Sequence, residues 1–89
     1  MSVYEKCKKL DNDIKEFDRQ LGVAYDEFNI RSDEYNKERG KFEVPPNEEL
    51  LKRLLAAANE KSAEIRKIGA NRWEAFNKWM DCLERNISN

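Results

Sequence analysis

Cys7 and Cys82 are the only two thiols in this 89-residue sequence, and histidine is absent altogether. Without histidine the commonest general base and the commonest zinc ligand are missing. Two cysteines so far apart, with no C-x-x-C, do not make a Cys₄ or Cys₂His₂ set, so no metal is expected. Cys7 stands among Lys6, Lys8 and Lys9, and positive charge of that kind lowers a thiol pKa. Its spacing with neighbouring apolar residues instead makes it a small buried side chain. Cys7 and Cys82 are expected as two free thiols in contact, in a reducing cytoplasm. The alternative is a disulfide stapling the open end of the fold, worth about 4 kcal/mol in the chain-entropy model.

None of the eighteen carboxylates lies in an apolar stretch that would raise its pKa. No phosphate-cradling glycine loop or nucleophile elbow is present. The sequence therefore predicts no enzyme: no catalytic residue, no cofactor and no small-molecule substrate. Lys61 and Arg72 are two charges within an otherwise apolar helical sector, eleven residues apart and so on one side of the helix. Antiparallel folding would bring Arg72 near Asp13 or Asp18, and Lys61 near Glu27 or Asp26. They are read either as intramolecular ion pairs or as charges that set register and partner choice at an interface.

The 17 basic and 18 acidic residues are interspersed. They run five of each over residues 1–20, nine acids to six bases over 21–60, and six bases to four acids over 61–89. Nucleic-acid binding normally leaves a larger local excess of Lys and Arg. Lys61, Arg66, Lys67, Arg72 and Lys78 point in several directions around a helix and form no stripe. No apolar run approaches the roughly 18 residues of a membrane span, and the start has no apolar leader. The expected location is the cytoplasm.

What must position these side chains is a pair of helices. Gly40 and the adjacent Pro45-Pro46 mark a turn over residues 40–46, with Gly40 suited to a left-handed helix end and Pro46 to the first turn of the next helix. Glu48 and Glu49 then suit the positive end of the helix dipole. Before the turn, Val3, Cys7, Leu10, Ile14, Phe17, Leu21, Ala24 and Phe28 recur at alternating spacings of four and three, a heptad seam that predicts helix 1 over about 3–39. After the turn, helix 2 is predicted over about 47–87, its apolar residues spread over roughly 180° of the wheel. The pairs Glu5/Lys9, Asp11/Lys15, Glu48/Lys52 and Glu49/Arg53 mark solvated faces.

Folding the chain back at the turn opposes residues whose numbers sum to about 89, so that Cys7 faces Cys82 and Gly22 lies level with Gly69. Two glycines at one level imply a close backbone approach or a shared bend. Helix 2 is either continuous or kinked at Gly69, or it breaks there, with Asn71-Arg72-Trp73-Glu74 as a capping box opening a third helix. The fold predicted is all-α, a single domain over 1–89: an antiparallel two-helix hairpin, with a kink or break possible near Gly69, dimerising into a four-helix bundle.

Trp73, Phe76, Trp79, Met80, Leu83 and Ile87 exceed what the start of helix 1 can cover, and Trp and Met are favoured at protein interfaces. These six are the predicted partner-binding residues. The function expected is a small protein–protein interaction module: an assembly factor, adaptor, chaperone or inhibitor acting on itself as a homodimer or on a larger protein. The alternative is a heteromeric binder of a larger host complex, of the kind encoded by phages or secretion systems. Type VII secreted hairpins have similar length and a central turn, but their W-x-G is missing from Val44-Pro45-Pro46-Asn47.

Overall fold

The computed structural model describes residues 2–41 and 46–87. The expected turn residues 42–45, Val44 and Pro45 among them, lie outside the described residues. Three helices are present, α1 (Val3–Lys6), α2 (Lys8–Arg39) and α3 (Glu48–Ile87), with no strand among the described residues.

Helices α1 and α3 each start on a capping side chain. The Ser2 hydroxyl accepts from the Glu5 N–H at 3.2 Å, and the Asn47 side-chain oxygen accepts from the Leu50 N–H at 3.2 Å, so each satisfies one of the N–H groups a first turn leaves free. Glu48 and Glu49 stand in the first turn of α3. Pro46 precedes the Asn47 cap instead of opening the helix. Gly40 is not left-handed, since no described glycine has a positive φ. The chain leaves α2 through a Gly40 N–H bond to the Asn36 carbonyl at 2.9 Å. The expected helix over 3–39 is interrupted at one residue, Cys7, yet the Cys7 N–H still reaches the Val3 carbonyl and the Asp11 N–H the Cys7 carbonyl, each at 3.2 Å.

Helix α3 runs without a break through Gly69 and Asn71, so the capping-box reading of Asn71-Arg72-Trp73-Glu74 does not hold. The shared-contact reading of the glycines fails as well. A Cβ added at Gly22 or at Gly69 would meet nothing within 4 Å. Both are helical positions with room to spare, where Gly is less favourable than Ala by about 1 kcal/mol. Gly22→Ala and Gly69→Ala are each expected to raise stability by about that amount in urea unfolding followed by circular dichroism. A loss at either site would mean the backbone there is bent or crowded.

The chain divides into two compact units, Met1–Leu21 with Lys67–Asn89, and Gly22–Arg66. In the first, the disulfide Cys7–Cys82 and the ion pair of Asp18 with Arg72 pair rising numbers on one helix with falling numbers on the other, so the two stretches run antiparallel. The bridge corrects the expectation of free thiols: the two Cα atoms stand 6.0 Å apart and the sulfurs are bonded. Val3, Cys7, Leu10, Ile14, Phe17 and Leu21 face inward, with Ile68, Arg72, Ala75, Trp79, Cys82 and Asn86 opposite them. Cys7, Ile14, Ile68 and Ala75 are the buried members.

In the second unit, the ion pair of Glu27 with Lys61, and the Arg31 guanidinium donating to the Ala57 carbonyl at 2.8 Å, give the same antiparallel sense. The inward row continues past Phe28 through Arg31, Tyr35 and Glu38. Ala24 and Ala58 are its buried apolar members, with Phe28, Leu54 and Ile65 partly covered. Glu38, only 8% exposed, accepts from the Asn47 N–H at 3.3 Å and pairs with Lys41 at 2.7 Å. One carboxylate thus ties the end of α2 to the start of α3.

The hydrogen bond and charge of Lys41, aided by the Asn47 N–H, hold the Glu38 carboxyl below its ordinary range, and Lys61 does the same for Glu27. A carboxyl whose folded pKa is depressed contributes stability that is present above the unfolded value of about 4.3 and is lost as pH falls through the folded one. The urea midpoint is therefore expected to be flat from neutral pH to mildly acidic pH and to fall below about pH 4. Glu38→Gln should flatten the acid limb. An unchanged limb in that variant would remove Glu38 from the account.

Candidate protein-binding face of helix α3

Helix α3 of the first unit carries two rows, not one broad face. Arg72, Ala75, Trp79, Cys82 and Asn86 are the inward row. Trp73, Phe76, Met80, Leu83 and Ile87 each follow one of them by a single position, which turns the second row about 100° around the helix. That row also alternates spacings of three and four, the spacing of a helix-packing seam. Trp73 is 63% exposed, Ile87 70% and Met80 39%, while Phe76 and Leu83 are partly covered. The row is internally ordered: the Trp73 and Phe76 rings stack with centroids 5.9 Å apart.

Five of the six residues singled out from the sequence thus form one row. Trp79 falls in the other, half-buried between Ala75 and Cys82, its ring tilted against Phe76 at 5.9 Å. The exposed apolar side chains of the second unit, Val23, Tyr25, Ile30 and Leu55, follow no such spacing. Single exposed apolar residues are ordinary on a protein surface; a periodic row is not.

Lys61 and Arg72 are both committed within the chain. Lys61 pairs with Glu27 and with Glu64, the latter at 2.8 Å, and these carboxylates raise its pKa, Glu27 foremost. Arg72 pairs with Asp18. Of the other cations considered for nucleic acid, Lys78 pairs with Glu74 at 3.3 Å and Arg66 reaches the Ser62 hydroxyl at 3.5 Å. Four of the five therefore already have an intramolecular partner. Asp11–Lys15 forms at 3.2 Å as the spacing predicts, whereas Lys52 takes Glu49, at 3.9 Å.

On the opposite side of the first unit's helix pair, Leu10, Asp13, Phe17, Asn71, Glu74, Ala75 and Lys78 line a shallow open groove of about 230 Å³. Pockets that enclose a small molecule begin at roughly 300 Å³ and are mostly apolar, and the charged lining here is partly self-paired through Glu74 and Lys78. No helix of the described residues is long and apolar enough to cross a membrane, and no three Cys, Asp or Glu side chains among them are grouped to hold a metal. Comparison with protein-family models, with curated proteins and with solved structures finds no match to this chain.

Proposed function

We propose that this chain is a helical hairpin that works as a protein–protein interaction module, presenting the Trp73–Phe76–Met80–Leu83–Ile87 row of α3 to a partner helix. The observation that carries this reading is the row itself: a helix-packing spacing, displaced from the row that serves the chain's own packing, with Trp73, Met80 and Ile87 in water. Among the described residues no three Cys, Asp or Glu side chains are grouped to hold a metal. A role as assembly factor, adaptor, chaperone or inhibitor fits such a surface, and so does a binder of a larger complex.

Two occupants suit a face of this kind. A second copy would complete a four-helix bundle; a helix of another protein would make a heteromeric one. As to location, the sequence composition argues for the cytoplasm, but a bonded Cys7–Cys82 pair fits an oxidising compartment better.

The test compares the oxidised wild-type chain with Trp73→Glu and Met80→Glu, each checked for unchanged helicity. Sedimentation at micromolar concentration reads self-association, and recovery of proteins from the native host reads other partners. Association present in the wild type and lost in both variants supports the proposal. Association that survives both substitutions removes this row from the function.

A further inference from the structure

We infer that the occupant of the α3 row is a single amphipathic helix of another protein, edged with Lys or Arg, and not a second copy of this chain. The inference rests on the function proposed above and adds the chemistry of the partner. Its basis is what borders the row. One position beyond its members Phe76, Met80 and Leu83, a further 100° or so around the helix, stand Asn77, Asp81 and Glu84. All three are exposed. Arg85, the cation that pairs with Asp81, lies on the far side of it from the apolar row. The apolar row thus has an acidic outer edge at Asp81 and Glu84. On the inner side, Lys8, Asp11, Lys15 and Asp18 alternate in sign, and Asp11 with Lys15 and Asp18 with Arg72 are already paired.

A second copy does not fit this border. In an antiparallel twofold pairing the outer edges of the two α3 helices face each other, acid against acid, which is destabilising. In a parallel pairing the acidic edge meets the other copy's row of alternating sign, with no net complement. Area argues the same way: three exposed and two partly covered side chains offer on the order of 500 Å², short of the roughly 800 Å² a side of a stable two-protein interface. One added helix can use an area of that size if it also gains ion pairs along its edge. The row spans Trp73 to Ile87, about two heptads, so the partner contributes a stretch of similar length, with apolar a and d positions and basic residues flanking them.

The probe is a labelled synthetic peptide of about three heptads, Leu and Ile at a and d, Lys at e and g, with a twin carrying Glu at e and g. Both are titrated by fluorescence anisotropy against the full oxidised chain. The Lys peptide is expected to bind about tenfold or more tightly than its twin, and to weaken with added salt. Met80→Glu should remove binding, and the double variant Asp81→Lys/Glu84→Lys should reverse the preference. Asp33→Lys/Glu34→Lys, an equal charge change on α2 of the other unit, should leave the preference in place. Equal binding of the two peptides overturns the inference while leaving the proposed face intact. So does a stable dimer of the wild-type chain that Met80→Glu dissociates. If the Lys peptide binds and Met80→Glu makes no difference, the face itself is wrong and both fall.

Discussion

Reducing the Cys7–Cys82 bridge, or replacing both residues by Ser, is expected to lower stability by about 4 kcal/mol and the thermal midpoint by more than about 15 °C. The sequence separation of 75 residues makes the closed loop long, and the entropy it removes from the unfolded chain is correspondingly large. The loss matters because little else holds the ends. The buried apolar side chains among the described residues are Cys7, Ile14, Ala24, Ala58, Ile68 and Ala75, three of them alanines that remove little apolar area from water. A chain of this size with so thin a core sits toward the lower end of about 4–13 kcal/mol of total stability. Most of that goes with the bridge. Thermal unfolding by circular dichroism, with and without reductant, measures it. The amides of the bridged unit should also lose more hydrogen-exchange protection than those of Gly22–Arg66. Coincident unfolding curves for bonded and reduced protein would show that the bridge is idle.

The helices were legible in the sequence because burial here follows spacing. Val3 through Phe28 recur as a heptad seam, and apolar type and inward position coincide along that stretch. Beyond Phe28 they part company: Arg31, Tyr35 and Glu38 keep the spacing but not the type. The Glu38 bond to the Asn47 N–H depends on a tertiary approach that no local pattern encodes. The register was legible from the position of the turn alone, which brings Cys7 to Cys82, Arg72 to Asp18 and Lys61 to Glu27. What the two cysteines do once together was not, since oxidation depends on the compartment and composition argued for a reducing one.

The same separation of type from position hid the division of α3. Ala75 is small and carries little apolar signal beside Trp73 and Phe76, yet Ala75 is buried and Trp73 is in water. A broad apolar sector of the wheel contains two packing rows, and side-chain size does not say which faces inward. Only the partner row on α2 decides that.

That division makes a contrast between two tryptophans six positions apart. Trp79→Glu is expected to destabilise the oxidised chain by about 3 kcal/mol, because it removes a large side chain from the inward row and leaves a carboxylate half-buried there. Trp79 lies three residues before Cys82 and four after Ala75, in the row that meets α2, and none of its neighbours in that row offers the new charge an unpaired cation: Arg72 already holds Asp18. Trp73→Glu should change stability by less than about 0.5 kcal/mol, the ordinary range for an exposed position. Trp73 is 63% exposed, and what it loses is chiefly its stacking on Phe76. Urea unfolding of the two oxidised variants reads the difference directly. The binding assays should run the other way, with Trp73→Glu folded and unable to associate. Trp79→Glu, by contrast, should associate in proportion to the fraction that remains folded. Equal stability losses in the two variants would mean that both tryptophans serve the chain's own packing, leaving no separate row for a partner. Only a variant that keeps its fold and loses its partner can assign the surface, and the geometry makes Trp73, not Trp79, the residue to change.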